Sequence, residues 1–205
     1  MIDTRIGLNT LIAAVATLAL AAPVRAGGRS KKNAGKGPKT TRPVLGSPKA
    51  KVKIVVYGDM QCPYTKRLMT RTLPRLVRDY PKKVQIVWRD NPLSFHRGAL
   101  PAAVAGREVF QQRGSKAFFA FQRLVFTNMR QIDATNLAAW AKQVGADSAK
   151  VAAALNGTAH RAWINKDQQS AVSRQATGTP TSFVNGRKVR GSQPYQKFKI
   201  LVDSL

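Results

Sequence analysis

Strand, helix and strand follow one another between Val52 and Trp88, and that succession narrows the folds open to this chain. Val52 to Tyr57 is rich in β-formers and half alternating, and it stops at Gly58-Asp59, which reads as a buried strand and its turn. From about Pro63 to Tyr80, Met69, Leu73, Leu76 and Tyr80 recur at helical spacing, with Arg67, Arg71, Arg75 and Arg78 on the opposite side. Pro74 is expected to kink this helix. Val84 to Trp88 reads as the next strand. Three such elements in succession predict a right-handed parallel βαβ unit.

The next segment, from Phe95 to about Ala176, carries helical signals. Gly114, Asp133 as an N-cap, Gly145 with Asp147, and Asn156-Gly157 divide it. Phe118, Phe119, Phe121, Leu124, Val125 and Phe126 read as the core of this helical stretch rather than as a ligand pocket. Thr181 to Val184 and Lys188-Val189 then flank Asn185-Gly186, a strong hairpin turn signal. A last amphipathic helix is expected from about Pro194 to Val202. The predicted fold class is α/β, a βαβ half and a ββα half separated by a helical insertion over about 95–176.

The N-terminus reads as a targeting segment. Arg5 supplies the basic region, Ile6 to Ala22 an apolar run, and Val24-Arg25-Ala26 a small-x-small cleavage site. The run is short for a membrane span and glycine-rich polar sequence follows it, so a cleaved signal peptide over 1–26 is favoured over a retained anchor. Residues 27–47 hold Lys31, Lys32, Lys36, Lys39 and Arg42 among glycines and prolines, with no acid, and read as a basic flexible linker. The domain proper is expected over 48–205. The whole chain has 35 Lys+Arg against 9 Asp+Glu, a net charge of +26, which predicts attraction to acidic partners or anionic envelope surfaces. Nucleic acid is not expected as the partner of an exported protein.

Export, to a periplasm or beyond the cell, implies a compartment where disulfides form. The chain has a single cysteine, so it can hold no internal disulfide, and an odd thiol there is either a reactive group or an inert buried side chain. The neighbours favour reactivity. Cys62 lies where the first strand hands over to the first helix, facing the unpaired N–H groups and positive dipole end of that helix. Pro63 suits the first helical position, where its missing N–H leaves no bond unmade. Lys66 and Arg67 add positive charge. All of these favour the thiolate, which is the nucleophile.

Several stretches together resemble the DsbA-type thioredoxin-fold family of exported disulfide oxidoreductases. They are Gly46 to Tyr64, with Gln61-Cys62-Pro63-Tyr64 at its end; Asn91-Pro92-Leu93-Ser94-Phe95-His96; the helical insertion with Phe118 and Phe121; and Gly178-Thr179-Pro180-Thr181 followed by Phe183-Val184-Asn185-Gly186. The resemblance runs from Gly46 to Leu205. It implies a thioredoxin fold, an active site at Cys62, Pro63, Tyr64 and Thr65, and a cis Pro180 that sets the Thr179 backbone beside Cys62 to pair with an extended substrate. The sequence alone would allow an ordinary trans turn, and only the resemblance favours cis.

Two positions depart from the family pattern. Thr65 stands where the second active-site cysteine is usual, so Cys62 cannot close an intramolecular disulfide. Mixed-disulfide exchange needs only one attacking thiolate, with a second thiol, such as glutathione or another small thiol as co-substrate, to release it. The Thr65 hydroxyl is expected to hydrogen-bond the Cys62 sulfur. Val56 stands six residues before Cys62, where relatives often bury an acid that helps proton transfer.

The remaining polar residues carry less. His96 reads as a cap or packing residue, His160 as a surface residue on a helix, and Asp59 as a turn or capping residue before a base. Two histidines and one cysteine far apart give no metal-ligand spacing, so neither a metal nor a bound cofactor is expected. Three functional readings follow. The first is a monothiol exchange enzyme acting on exported proteins with cysteines or disulfides. The second is a thiol sensor or scavenger passing through sulfenic acid. The third is a redox-inactive module that binds acidic partners.

Overall fold

The structure, a computed structural model, describes residues 40–205, so the signal peptide expected over 1–26 and the linker up to residue 39 lie outside the described residues. Five strands, β1 (Val44–Gly46), β2 (Val52–Gly58), β3 (Val84–Asp90), β4 (Thr181–Val184) and β5 (Arg187–Arg190), form one sheet in the order β1-β3-β2-β4-β5. β2 and β3 are parallel, with Val52 opposite Val84 and Val56 opposite Trp88. β4 runs antiparallel to β2, placing Ser182 opposite Val56, and β5 completes the hairpin. Asn185 and Gly186 both have positive φ, 42° and 91°, which matches the twist a two-residue hairpin needs.

The βαβ and ββα halves and the intervening helices agree with the thioredoxin fold and its insertion. The linker reading is corrected at its end, because Val44–Gly46 forms β1, an edge strand antiparallel to β3. Three residues between polar neighbours carry no periodicity, so the strand is set by its partner rather than by its own sequence.

The first helix is continuous from Pro63 but not uniform. α1 (Pro63–Arg67) passes into a π-helical segment, Leu68–Thr72, and then into α2 (Leu73–Asp79). The Leu73 N–H donates to the Leu68 carbonyl, five residues back, immediately before Pro74. A widened turn there accommodates the residue that has no N–H to give. Leu68, Met69, Leu73 and Leu76 are buried from this helix, joining Ile54, Val56, Ile86 and Trp88 on one sheet face. That core continues into the insertion through Trp88, whose ring centroid lies 6.2 Å from that of Phe118. Gly58 permits the packing, since a Cβ on it would sit 2.3 Å from the Trp88 ring.

The insertion comprises α3 (Ala99–Thr127), α4 (Ala134–Gln143), α5 (Ser148–Asn156) and α6 (Arg161–Ser173). Gly114, at φ 74°, breaks α3. Asp133 caps α4 by accepting from the Asn136 N–H, and Asp147 caps α5 by accepting from the Ala149 and Lys150 N–H groups. α7 (Tyr195–Asp203) closes the chain against α2 and β4. His160 is not the surface residue expected. At φ 64° ahead of α6, its ring turns inward and Nε2 lies 2.7 Å from Glu108 Oε2, with both side chains largely covered.

One polar cluster is buried between β3, α3, α6 and the segment before β1. Asp167 Oδ1 accepts from Arg42 and Arg89, and its Oδ2 from Arg107 and the Asp90 N–H. Asp90 accepts from Trp88 Nε1 and Arg107 Nε, both at 2.7 Å. Burial pushes the Asp90 carboxyl above its ordinary value, with Arg107 opposing, and pushes Arg42 below its own.

Candidate functional site

β2 ends at Gly58, and Asp59 to Cys62 turn the chain into α1. The Asp59 carboxylate, buried at the base of this turn, accepts from the Gln61 N–H at 2.6 Å and from the Leu93 N–H at 2.9 Å. His96 Nδ1 lies 2.7 Å from the same carboxylate, and Gln61 Oε1 accepts from the Gly98 N–H at 2.7 Å. Asp59 and Gln61 thus tie the cysteine turn to the segment that leads into the insertion. Asp59 is a turn-fixing residue here, and His96 packs on it.

Cys62 occupies the N-cap of α1 with extended backbone, φ −82° and ψ 122°, and its carbonyl accepts from the Lys66 N–H. Pro63 is the first helical residue, no acid lies in the first turn, and Lys66 and Arg67 follow within it. The sulfur is directed away from bulk water. Cys62 is 4% exposed, and its thiol donates to the Thr179 carbonyl at 3.3 Å. The Thr179–Pro180 bond is cis. Cys62 and Thr179, which are 117 positions apart, therefore meet directly.

Thr65 is also at the site, but its hydroxyl does not reach the sulfur. Its Oγ1 is buried without a hydrogen-bond partner, and its methyl faces Gly58 instead. The expected Thr65–Cys62 bond is corrected accordingly: the rotamer that packs the methyl under the sheet turns the hydroxyl from Sγ. Thr179 Oγ1 and Ser182 Oγ are likewise buried without partners. Val56, with no exposure at all, faces the main core opposite Ser182. Around the opening, Tyr64 and Phe95 are exposed at 58% and 73%. The Arg67 guanidinium lies 5.6 Å from the Tyr64 ring centroid, and its Nε donates to Ser192 Oγ.

Along the cis-proline turn, whose Thr179 carbonyl meets Cys62, opens a cleft of about 250 Å³, walled by Gln175, Thr177 to Thr181, Arg190 and Gly191. The Gly191 N–H donates to the Pro180 carbonyl at 2.8 Å, which closes the cleft between the cis-proline turn and the end of β5. Arg190 and Ser182 were missed by sequence reasoning. Ser182 carried no local signal, since only the β2–β4 register puts it opposite Val56. Arg190 carried none, being one of many exposed cations.

Chemically, the arrangement supplies one sulfur at a helix N-terminus, a backbone carbonyl beside it and an open apolar and cationic rim. The family model described as Thioredoxin matches residues 39–204. Over 162 residues the chain is 28% identical to Na(+)/H(+) antiporter NhaA 1 of Salinispora arenicola, covering 78% of this chain and 24% of the antiporter. The chain thus spans about a quarter of the length of such relatives. It is 23% identical over 171 residues to Disulfide bond formation protein D of Bacillus subtilis, covering 79% of this chain and 76% of that protein. The crystal structure of a thioredoxin-like oxidoreductase from Silicibacter pomeroyi superposes with a TM-score of 0.70 at 27% identity, covering 80% of this chain and 91% of the other.

Proposed function

The chain belongs to the thioredoxin family, and from that premise we propose that it is a DsbA-type oxidoreductase that performs thiol–disulfide exchange through Cys62 alone. The observation that carries this reading is the meeting of the only sulfhydryl in the sequence with the Thr179 carbonyl at the start of a helix. The Cys62 thiolate attacks a disulfide R–S–S–R. A Cys62–S–S–R bond forms, the original S–S bond breaks, and the leaving R–S⁻ takes its proton from solvent. The thiolate sulfur is oxidised to the disulfide level and the departing sulfur is reduced. A second thiolate, from glutathione or a comparable small thiol, then attacks the R sulfur and frees Cys62. Val56 supports the use of solvent as proton source, because no carboxylate occupies that position.

Pro63 sets the helix start, Tyr64 offers an exposed aromatic contact, Thr65 fills space under the helix, and Thr179-Pro180 is the edge along which an extended substrate pairs. Exported proteins with cysteines or disulfides are the substrates this reading requires. The location follows from the 1–26 reading, and among the described residues no helix is long and apolar enough to cross a membrane.

A second reading, a sensing or redox-inactive module that binds acidic partners, is favoured by the near-complete cover of Cys62 and by the basic surface. Intact mass after exposure to oxidised glutathione at neutral pH separates the two, with Cys62→Ser as control. Exchange predicts an adduct of one glutathione per chain, formed about tenfold or more faster in the folded protein than in the same chain in denaturant, and reversed by free thiol. Adduct formation no faster than in denaturant would leave the binding module in the lead.

A further inference from the structure

The cleft along the cis-proline turn holds two polar groups that the exchange reaction does not use. Arg190 is exposed at the end of β5 and, among the described residues, makes no ion pair. Thr179, which also lines the cleft, keeps a buried Oγ1 hydroxyl with no partner. Most buried hydroxyls in native proteins are satisfied, so an orphan in the wall of a cleft marks a place for a ligand acceptor. A guanidinium only donates and a hydroxyl can donate, so a carboxylate is a group that both can hold.

The local charge agrees. None of the carboxylates among the described residues lines the cleft. The one nearest Cys62 in sequence, Asp59, is buried and holds Gln61, Leu93 and His96. Lys66 and Arg67 follow Cys62 in the same helix, and the Arg67 bond to Ser192 draws the turn after Arg190 towards that helix. Thr179 links the two places, since its carbonyl meets the Cys62 sulfur at 3.3 Å and its side chain belongs to the cleft.

We propose that this cleft is a carboxylate subsite, with Arg190 as its specificity-determining residue, so that the protein selects disulfides bearing a carboxylate close to the sulfur. Oxidised glutathione belongs to that class, and so does a protein disulfide flanked by Asp or Glu. The proposal rests on the exchange reading above and adds to it the substrate's charge. Recognition is by the donor pair, so an Arg190 variant loses the preference for the anion and keeps reactivity towards neutral disulfides.

The test compares two aromatic disulfides whose released thiols absorb light: 5,5′-dithiobis(2-nitrobenzoate), a dianion, and 4,4′-dithiodipyridine, which is neutral. Their intrinsic reactivities differ, so the quantity read is the ratio of their rate constants with Cys62, compared among three proteins at low salt. These are the wild type, Arg190→Ala, and Lys142→Ala, the last changing a cation on α4, which packs on α3 and α5. The expected result is an anion-to-neutral ratio about tenfold lower in Arg190→Ala, the worth of one charge-assisted hydrogen bond, with the neutral rate held. Lys142→Ala keeps the wild-type ratio. An equal fall in both variants would assign the preference to overall charge and overturn the subsite, as would an unchanged ratio in Arg190→Ala. In either case a brisk neutral reaction leaves Cys62 exchange standing. A Cys62 slow towards both disulfides would remove exchange and subsite together.

Discussion

Two buried polar regions lie close to the same sheet and are built on opposite terms. Between β3, α3 and α6, both oxygens of Asp90 and of Asp167 have donors, and Arg42, Arg89 and Arg107, far apart in the chain, supply most of them. Around Cys62, Thr65, Thr179 and Ser182 keep buried hydroxyls with no partner, three of the four such atoms among the described residues. Buried polar groups are ordinarily satisfied, and leaving one unpaired costs about 1–3 kcal/mol. The first region therefore fixes the fold, joining the segment before β1 to the insertion. The second carries a local cost around the sulfur through which exchange is proposed.

Breaking the satisfied region is expected to have the largest effect. Asp167→Ala leaves Arg42, Arg89 and Arg107 facing one buried carboxylate, and a loss of about 3–5 kcal/mol is expected in denaturant unfolding. A loss under 1 kcal/mol would mean that the cluster is hydrated and does not lock the fold.

Repairing the unsatisfied region is expected to do the reverse on a smaller scale. Thr65→Val keeps the shape and removes the orphan hydroxyl, so the protein should gain about 1 kcal/mol by the same assay. The rate of the Cys62 adduct should stay within about twofold, since Thr65 makes no bond to the sulfur. A tenfold slower adduct would instead show that the hydroxyl serves the thiolate.

The smallest effect belongs to the exposed margin of α7, where neither pattern applies. Lys199, followed by Tyr80, holds the Asp203 carboxyl below its ordinary value, while Asp203 and Tyr80 push Lys199 up to about 12. A carboxylate whose folded value is depressed contributes stability that is present above its unfolded value, about 3.9, and is lost as pH falls through the folded one. Amide exchange near the end of α7 is therefore expected to speed up modestly, relative to β2 amides, as pH drops below about 4. An unchanged ratio would place these contacts among surface pairs that contribute nothing measurable.

Much of the frame was legible because local patterns and global packing agree. The alternation of Val52 to Tyr57, the stripe of Met69, Leu73 and Leu76, and the Asn185-Gly186 turn each declared their element. The place of Cys62 at a helix start followed from the same reading. What stayed hidden depends on pairs remote in sequence. β1 is three residues defined by its register with β3, and Arg42 belongs to a buried cluster 125 positions away, although its neighbours read as linker. The orientation of Thr65 was hidden for a different reason. Packing of its methyl against Gly58 chose the rotamer, and spacing along a helix places a side chain on a face without saying where its hydroxyl turns. Arg190 stood out only once the cleft was formed.

The central claim is that a single cysteine sustains complete rounds of exchange. The direct measurement is the removal of glutathione from a glutathionylated peptide, with excess reduced glutathione and the protein at a small fraction of the peptide concentration. The account predicts many turnovers per chain, a rate proportional to protein, and none of it in Cys62→Ser. Peptide that keeps its glutathione at the uncatalysed rate, or a single adduct on Cys62 that never turns over, would contradict it.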